Sequence, residues 1–273
     1  TDIGHIGVFK EDHDGAMARF IGEADVIFCM DFNQINRLDR VTDTVTANTT
    51  AVRVLIDHHL HPPVDGYAVQ FSDTHACSTS YIVYQLLEAM AGTDAIDQAM
   101  AESLYVGIMT DTGNFSFSSL TSDLFRAVAV LIDKGVNVPY VNSSVYNNFS
   151  EGRMRLLGYM LNDKMVTDYE FGVAYVSLTE EEMRRFDFIQ GDSEGFVNYP
   201  LSIRGIRMSA MFIQTKHSIR VSLRSRGEVD VNVFARRYFD GGGHRNAAGG
   251  KSYVPMNETL ENFRKYLREY FGA

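Results

Sequence analysis

Val54-Leu55-Ile56-Asp57-His58-His59 is an aliphatic run that stops abruptly on one carboxylate and two imidazoles. A short apolar run rich in branched residues is the pattern of a strand buried on both faces of a parallel sheet. Open α/β sheets collect their ligands at the carboxyl ends of such strands. Asp57, His58 and His59 therefore fall where chemistry is usually done. A plain strand end with incidental polar residues is the simpler account of an isolated tripeptide, so the rest of the chain has to supply the difference.

Upstream, residues 24–30 form a second apolar run, read as a buried strand, that ends on Asp31, and Asp31-Phe32-Asn33 turns away into polar sequence. Pro62-Pro63 forces a loop after the first run. Downstream, 78–90 is amphipathic, with Ser78 at its start and Gly92 past its end, the signature of a capped helix. A second helix over 97–109 runs into the polar turn Thr110-Asp111-Thr112-Gly113, so Asp111 is a third carboxylate following an apolar segment. Further helices are expected over 122–134 and 151–161. Alternating strands and helices predict an α/β fold with a doubly wound parallel sheet.

The pattern changes near Tyr169. Residues 171–178 alternate like a strand, and Thr179-Glu180-Glu181-Glu182 is a capping box opening a short helix. Strand-like runs follow at 207–213 and 219–223, then a helix over 233–239, the run Gly241-Gly242-Gly243-His244, and an amphipathic helix over 258–270. This predicts a smaller α+β domain. The expected division is 1–145 for the first domain, 146–166 for a helical linker and 167–273 for the second, with the boundary between Val141 and Lys164.

With 273 residues and 45% hydrophobic content, the chain can bury two medium cores. Its only cysteines, Cys29 and Cys77, sit in or beside apolar runs, which argues against a disulfide framework and for a reducing compartment. No apolar run is long enough to span a bilayer and no leader is recognisable, so the expected location is cytoplasmic. The net charge of −10 is unevenly placed: residues 201–251 carry ten Lys and Arg against three acids, a local +7 that leaves −17 for the remainder. A basic segment on an acidic body suits a short polyanion better than a long duplex.

Asp31, Asp57, His58, His59 and Asp111 combine hard oxygens with imidazoles. That mix favours Mn²⁺ or Mg²⁺ over a structural zinc site, which wants thiolates. A pair of such ions could activate water and stabilise charge on a phosphoryl group. Each carboxylate alone is more often a cap or turn residue; three after apolar elements, with adjacent histidines, weigh equally toward a metal site. Gly241, Gly242 and Gly243 offer bare backbone N–H groups as a concavity for anions, flanked by His244 and Arg245. A glycine run by itself is often only a flexible turn. Its place after a basic strand pair, with Arg224 ending Val221-Ser222-Leu223-Arg224, favours phosphate or nucleotide binding.

Asp31 after a strand, Asp57-His58-His59, Asp111 within Met109-Thr110-Asp111-Thr112-Gly113, and Gly241-Gly242-Gly243-His244 follow the order and approximate spacing of the DHH/DHHA1 phosphoesterases. Over essentially its whole length the chain resembles this family, and most of all its small cytoplasmic members that degrade nanoRNA and dephosphorylate 3′-phosphoadenosine 5′-phosphate. The resemblance implies an N-terminal DHH catalytic domain and a C-terminal DHHA1 substrate-binding domain. It implies that Asp31 bridges two Mn²⁺ ions, with Mg²⁺ as the alternative, and that His58 and Asp111 each ligate one of them. Asp57 then orients the neighbouring imidazole, and His59 faces the scissile phosphate as hydrogen-bond donor or general acid. Arg224, His244 and the Gly241, Gly242 and Gly243 backbone hold the far phosphate or base of the substrate, with Asn198 as a further candidate.

One departure stands out. The family's first motif, a histidine followed by Asp-Gly-Asp on the first strand, is missing upstream of Asp31. Glu11-Asp12-His13-Asp14-Gly15 shares some letters but lacks a preceding apolar strand and leads into a helix, so His13 and Asp14 are left out of the site. The expectation is that the first strand and its ligands precede Thr1; a molecule truly starting there should bind metal weakly. The function implied is a Mn²⁺-dependent phosphoesterase hydrolysing short oligoribonucleotides and dinucleotides to mononucleotides, and 3′-phosphoadenosine 5′-phosphate to AMP. Its expected partners are short single-stranded RNA and nucleotide phosphates, with no membrane, and a homodimer by resemblance. The alternatives are a phosphodiesterase for linear or cyclic dinucleotides, an exopolyphosphatase-like enzyme, and a non-enzymatic nucleotide- or RNA-binding module.

Overall fold

Three parallel strands lie at the centre of the N-terminal part of the computed structural model, which describes residues 6–9, 12–116 and 120–272. They are β1 (Val26–Met30), β2 (Val52–Asp57) and β3 (Val69–Ser72), in the order β1-β2-β3. Met30 pairs with Ile56, and Ile56 with Phe71, so the three strands end nearly level. β2 is flanked on both sides, which is why its run is apolar throughout: Leu55 is fully buried on one face, and Val54 and Ile56 enter a core on the other.

That core is built by helices α3 (Thr79–Ala91), α4 (Gln98–Asp111) and α5 (Ser122–Asp133), which follow α1 (Ala16–Gly22) and α2 (Val41–Ala47) and precede α6 (Val138–Tyr146). The helix starts obey capping chemistry. Ser78 accepts from the Tyr81 N–H, Asp97 from Met100 and Thr121 from Leu124, each satisfying a first-turn amide that has no partner in its own helix. Residues 12–15 lead into α1, whose cap position is Gly15, and Asp12 from further upstream accepts the N–H groups of Met17 and Ala18. Thr1 to Ile3 and Glu11 lie outside the described residues.

β1 corrects one expectation. Its sequence reads as a buried strand, yet Val26, Phe28 and Met30 are exposed, Phe28 by 61%. Among the described residues β1 is the edge of the sheet, and the α3, α4 and α5 core reaches only Val54 and Ile56 of that face. The helix expected after Gly15 forms as α1, whereas strand β3 and helices α2 and α6 carry too few periodic residues to stand out in the sequence.

Residues 1–147 and 148–273 form two separate compact units. The second opens with α7 (Glu151–Tyr159), which continues as a π-helical turn over Met160–Lys164 where a longer α-helix was expected. It then carries β4 (Val166–Asp168), β5 (Val173–Leu178), α8 (Glu180–Arg184), a 3-10 segment (Phe196–Ser202), β6 (Met208–Gln214), β7 (Ile219–Ser225), α9 (Val231–Tyr238), β8 (Gly242–His244), β9 (Ala247–Ser252) and α10 (Met256–Phe271). Its sheet runs β4-β5-β6-β7-β9-β8, with only β5 and β6 parallel. One face packs Phe212, Phe234 and Phe263 beneath α9 and α10. Each fully buried ring is worth roughly 2–3 kcal/mol of transfer free energy. The other face, over β5 and β6, meets Leu156, Met160 and Phe196. Among the described residues no helix is long and apolar enough to cross a membrane.

The capping box predicted at Thr179 forms as expected and does more than cap. Glu182 accepts from the Thr179 N–H at 2.8 Å, from Lys164 Nζ at 2.6 Å and from Tyr159 Oη at 2.8 Å. Burial alone would raise its pKa; the Lys164 ammonium and the Thr179 and Tyr159 donors outweigh burial and hold the carboxyl down at about 2. Its stabilising effect is therefore complete above pH 4.5 and is lost as pH falls toward 2. Glu182→Gln is expected to remove about 2–3 kcal/mol at pH 7 and almost nothing near pH 2, measured by urea unfolding at both pH values.

Candidate metal centre and anion face

The level ends of β1 and β2 bring two polar clusters together in the first unit. Asp31 follows β1 with φ of +64°, a left-handed conformation that a non-glycine residue adopts at a cost. Its N–H donates to the Ile56 carbonyl at 3.1 Å, locking the turn to β2. One carboxylate oxygen accepts from Thr79 Oγ1 at 3.0 Å, the first residue of α3. The same oxygen lies 3.7 Å from His58 Nε2, and Asp111 Oδ2 lies 3.7 Å from that nitrogen on another side.

Asp111 is the last residue of α4 rather than a member of a loop turn, as expected from sequence. A carboxylate at a helix C-terminus faces the negative end of the helix dipole. Burial raises its pKa and Asp31 adds to the rise, while the His58 imidazole opposes both. Ligand atoms of Asp31, His58 and Asp111 all lie within 4.8 Å of one another. Two carboxylates and an imidazole converging there form a hard donor set that a divalent cation such as Mn²⁺ or Mg²⁺ fits, because the ion would replace mutual repulsion with attraction.

The imidazole tautomers agree with that fit. His58 Nδ1 is 3.2 Å from the Ala76 carbonyl, an acceptor only, so the ring proton sits on Nδ1 and the Nε2 lone pair is directed at the two carboxylates. His59 Nδ1 lies 2.7 Å from Asp57 Oδ1, and the His59 N–H donates to Asp57 Oδ2 at 3.1 Å. Asp57 is fully buried. Burial would raise its pKa, but the hydrogen bonds from the His59 ring and backbone N–H, with the electrostatic effect of the two imidazoles, hold it below the usual carboxylate range. Asp57 is thus an ionised anchor that fixes the proton of His59 on Nδ1. Oxygen atoms of Asp31 and Asp57 also lie within 4.8 Å of His59, but the Nδ1 bonded to Asp57 cannot ligate a cation at the same time.

In the second unit Gly242–His244 of the glycine run form a strand, β8, rather than a flexible turn. β8 pairs with β9 so closely that a Cβ on Gly241 would sit 2.0 Å from the Gly249 carbonyl oxygen, and one on Gly243 2.5 Å from that of Ala247. Gly243, at φ of +151°, gives its N–H to Asn232 Oδ1 at 3.0 Å, and the same oxygen accepts from Arg236 Nε at 3.1 Å. Register then aligns the basic residues: Arg224 on β7 is opposite Ala247 on β9, which is opposite His244 on β8. Directly opposed residues share a sheet face, so Arg224 and His244 point the same way from strands two apart, about 10 Å. Asn198 is exposed in the 3-10 segment. Thr79, the Ala76 carbonyl and Asn232 had no signal in the sequence, since each acts across a gap in the chain that only folding closes.

Residues 3–108 match the DHH family, N-terminal domain, and residues 169–273 the DHHA1 domain. The chain is 30% identical over 251 residues to the bifunctional oligoribonuclease and PAP phosphatase NrnA of Bacillus subtilis, covering 90% of this chain and 73% of that protein. It is 28% identical over 227 residues to the cyclic-di-AMP phosphodiesterase GdpP of Bacillus subtilis, covering 80% of this chain and 32% of the relative. The structure superposes on that of an exopolyphosphatase-related protein from Bacteroides fragilis with a TM-score of 0.89 and 39% identity, covering 94% of this chain and 75% of the other. The fold and the two family matches define an α/β phosphoesterase, in which Asp31, His58 and Asp111 form a candidate metal centre. The chain belongs to the DHH/DHHA1 phosphoesterase family.

Asn232→Ala is expected to remove the acceptor shared by the Gly243 N–H and Arg236 Nε and to cost about 0.5–1.5 kcal/mol, measured by urea unfolding, with amide exchange at Gly243 accelerating most.

Proposed function

We propose that the chain is a Mn²⁺-dependent phosphoesterase that hydrolyses oligoribonucleotides a few residues long, including dinucleotides, to mononucleotides, and 3′-phosphoadenosine 5′-phosphate to AMP. The observation that carries the reading is the convergence of Asp31, His58 and Asp111 beside a histidine whose proton is fixed by the buried Asp57. The relation to the oligoribonuclease and PAP phosphatase of Bacillus subtilis supports the substrate class. In this reading residues 1–145 form the catalytic domain, 146–166 a linker and 167–273 the substrate-binding domain.

Asp31, His58 and Asp111 would hold Mn²⁺, with Mg²⁺ as the alternative. Such ions supply charge neutralisation at the phosphoryl group and an acidified attacking water. His59, held by Asp57, offers Nε2 to the phosphoryl or leaving oxygen, and the low pKa of Asp57 stabilises the protonated ring during that donation. Arg224 and His244 hold a distal phosphate or base on the face bared by Gly241, Gly242 and Gly243, with Asn198 at its margin.

The first test is mononucleotide release from end-labelled RNA of two, five and twenty-four residues with Mn²⁺. Rapid turnover of the two short strands and slow turnover of the longest is expected; equal cleavage of all three sinks the reading. Hydrolysis of cyclic di-AMP in preference to the linear dimer would favour the activity named for the GdpP relative instead. Asp57→Asn should lower kcat by roughly 10²–10⁴-fold while leaving nucleotide affinity near that of the wild type. Asp111→Asn should weaken Mn²⁺ binding by more than about tenfold by calorimetry, with folding intact.

A further inference from the structure

The register that aligns Arg224 with His244 continues along the sheet. Arg220, Ser222 and Arg224 alternate onto one face of β7, and opposite them on β9 stand Lys251, Gly249 and Ala247. Gly242 of β8 lies opposite Gly249. The face thus has a cationic row at one end, Arg224 with His244, where the Glu194 carboxylate also acts on Arg224, a low middle of Ser222 and Gly249, and a second cationic row at the other end, Arg220 with Lys251.

The second row differs from Arg245, Arg237 and Arg207 of the same segment. Arg245 is ion-paired with Glu228, Arg237 with Glu269, and Arg207 lies over the Phe271 ring and donates to the Phe171 carbonyl. Arg220 and Lys251 are both exposed and, among the described residues, neither has an ion pair. Arg220 is steadied by one bond, from Nη2 to Ser193 Oγ at 2.9 Å, which leaves the other guanidinium donors for a ligand. Two adjacent cations without an ion pair, on backbone positions about 5 Å apart across neighbouring strands, are a receptor for a phosphodiester.

We propose that Arg220 and Lys251 form a second phosphate-binding row for the oligoribonucleotide substrate, about 13–14 Å along the strands from the Arg224 and His244 row. The inference rests on the oligoribonucleotide reading above and deepens it. A nucleotide bisphosphate or a dinucleotide is too short to engage both rows at that separation, whereas a pentamer spans them with a sugar or base over the glycine-lined middle. The second row therefore senses chain length.

The test compares Arg220→Ala/Lys251→Ala with wild type in Mn²⁺, using oligoadenylates of two and five residues, with Arg220→Lys/Lys251→Arg as the charge-retaining control. The expected result is a rise of about tenfold in KM for the pentamer, with KM for the dimer within about twofold and kcat unchanged for both. The dependence of log(1/KM) on log salt for the pentamer should flatten by about 1.4, two phosphate contacts at about 0.7 each, and the control should restore both effects. An equal rise for dimer and pentamer, or no rise for either, overturns the second row while leaving the oligoribonucleotide reading in place. Wild-type protein that turns over neither oligomer overturns the oligoribonucleotide reading and the second row with it.

Discussion

Asp57 carries the tightest constraint in the N-terminal unit. A carboxylate removed from water costs several kcal/mol unless charge and hydrogen bonds replace its hydration. Here the ring and backbone N–H groups of His59 do so, and both neighbouring strands close on the same point: the Asp31 N–H on the Ile56 carbonyl and the Asp73 N–H on the Asp57 carbonyl. The end of β2 is thereby fixed from three sides. His58, one residue on, is turned toward Asp31 and Asp111 because its other nitrogen is tied to Ala76.

The left-handed Asp31 and the carboxylate at the end of α4 are both locally unfavourable, the first through backbone strain and the second through the helix dipole. Strain and like charge placed within a few ångströms of each other are what a site built for a cation tolerates and a purely structural cluster avoids. The hydrogen bond from Thr79 offsets part of that cost and ties Asp31 to the start of α3.

The C-terminal unit solves a different problem, the presentation of positive charge on a flat surface. Backbones at β8 and β9 approach too closely for side chains, so glycine is required at Gly241 and Gly243 by contact and not only by conformational freedom. Asn232, on α9, then satisfies the Gly243 amide from the core side of the sheet. The opposite side is left bare between rows of cations, whose spacing follows from strand geometry alone.

The sequence by itself determined the central strand and its polar end, the cap at Ser78, the helices that begin near Asp97 and Ser122, the capping box at Thr179, the two cysteines left as thiols and the change from a parallel α/β unit to an α+β one. These are local: periodicity reports which faces are buried, and caps act within three residues. Tertiary structure alone decided that β1 is an exposed edge among the described residues, that Asp111 ends a helix beside His58, that Ala76 sets a tautomer, and that Arg224 aligns with His244 and Arg220 with Lys251. Each depends on hydrogen bonds or register between segments some 18 to 53 residues apart, and hydrophobic pattern specifies which face a side chain takes but not which distant residue stands opposite it.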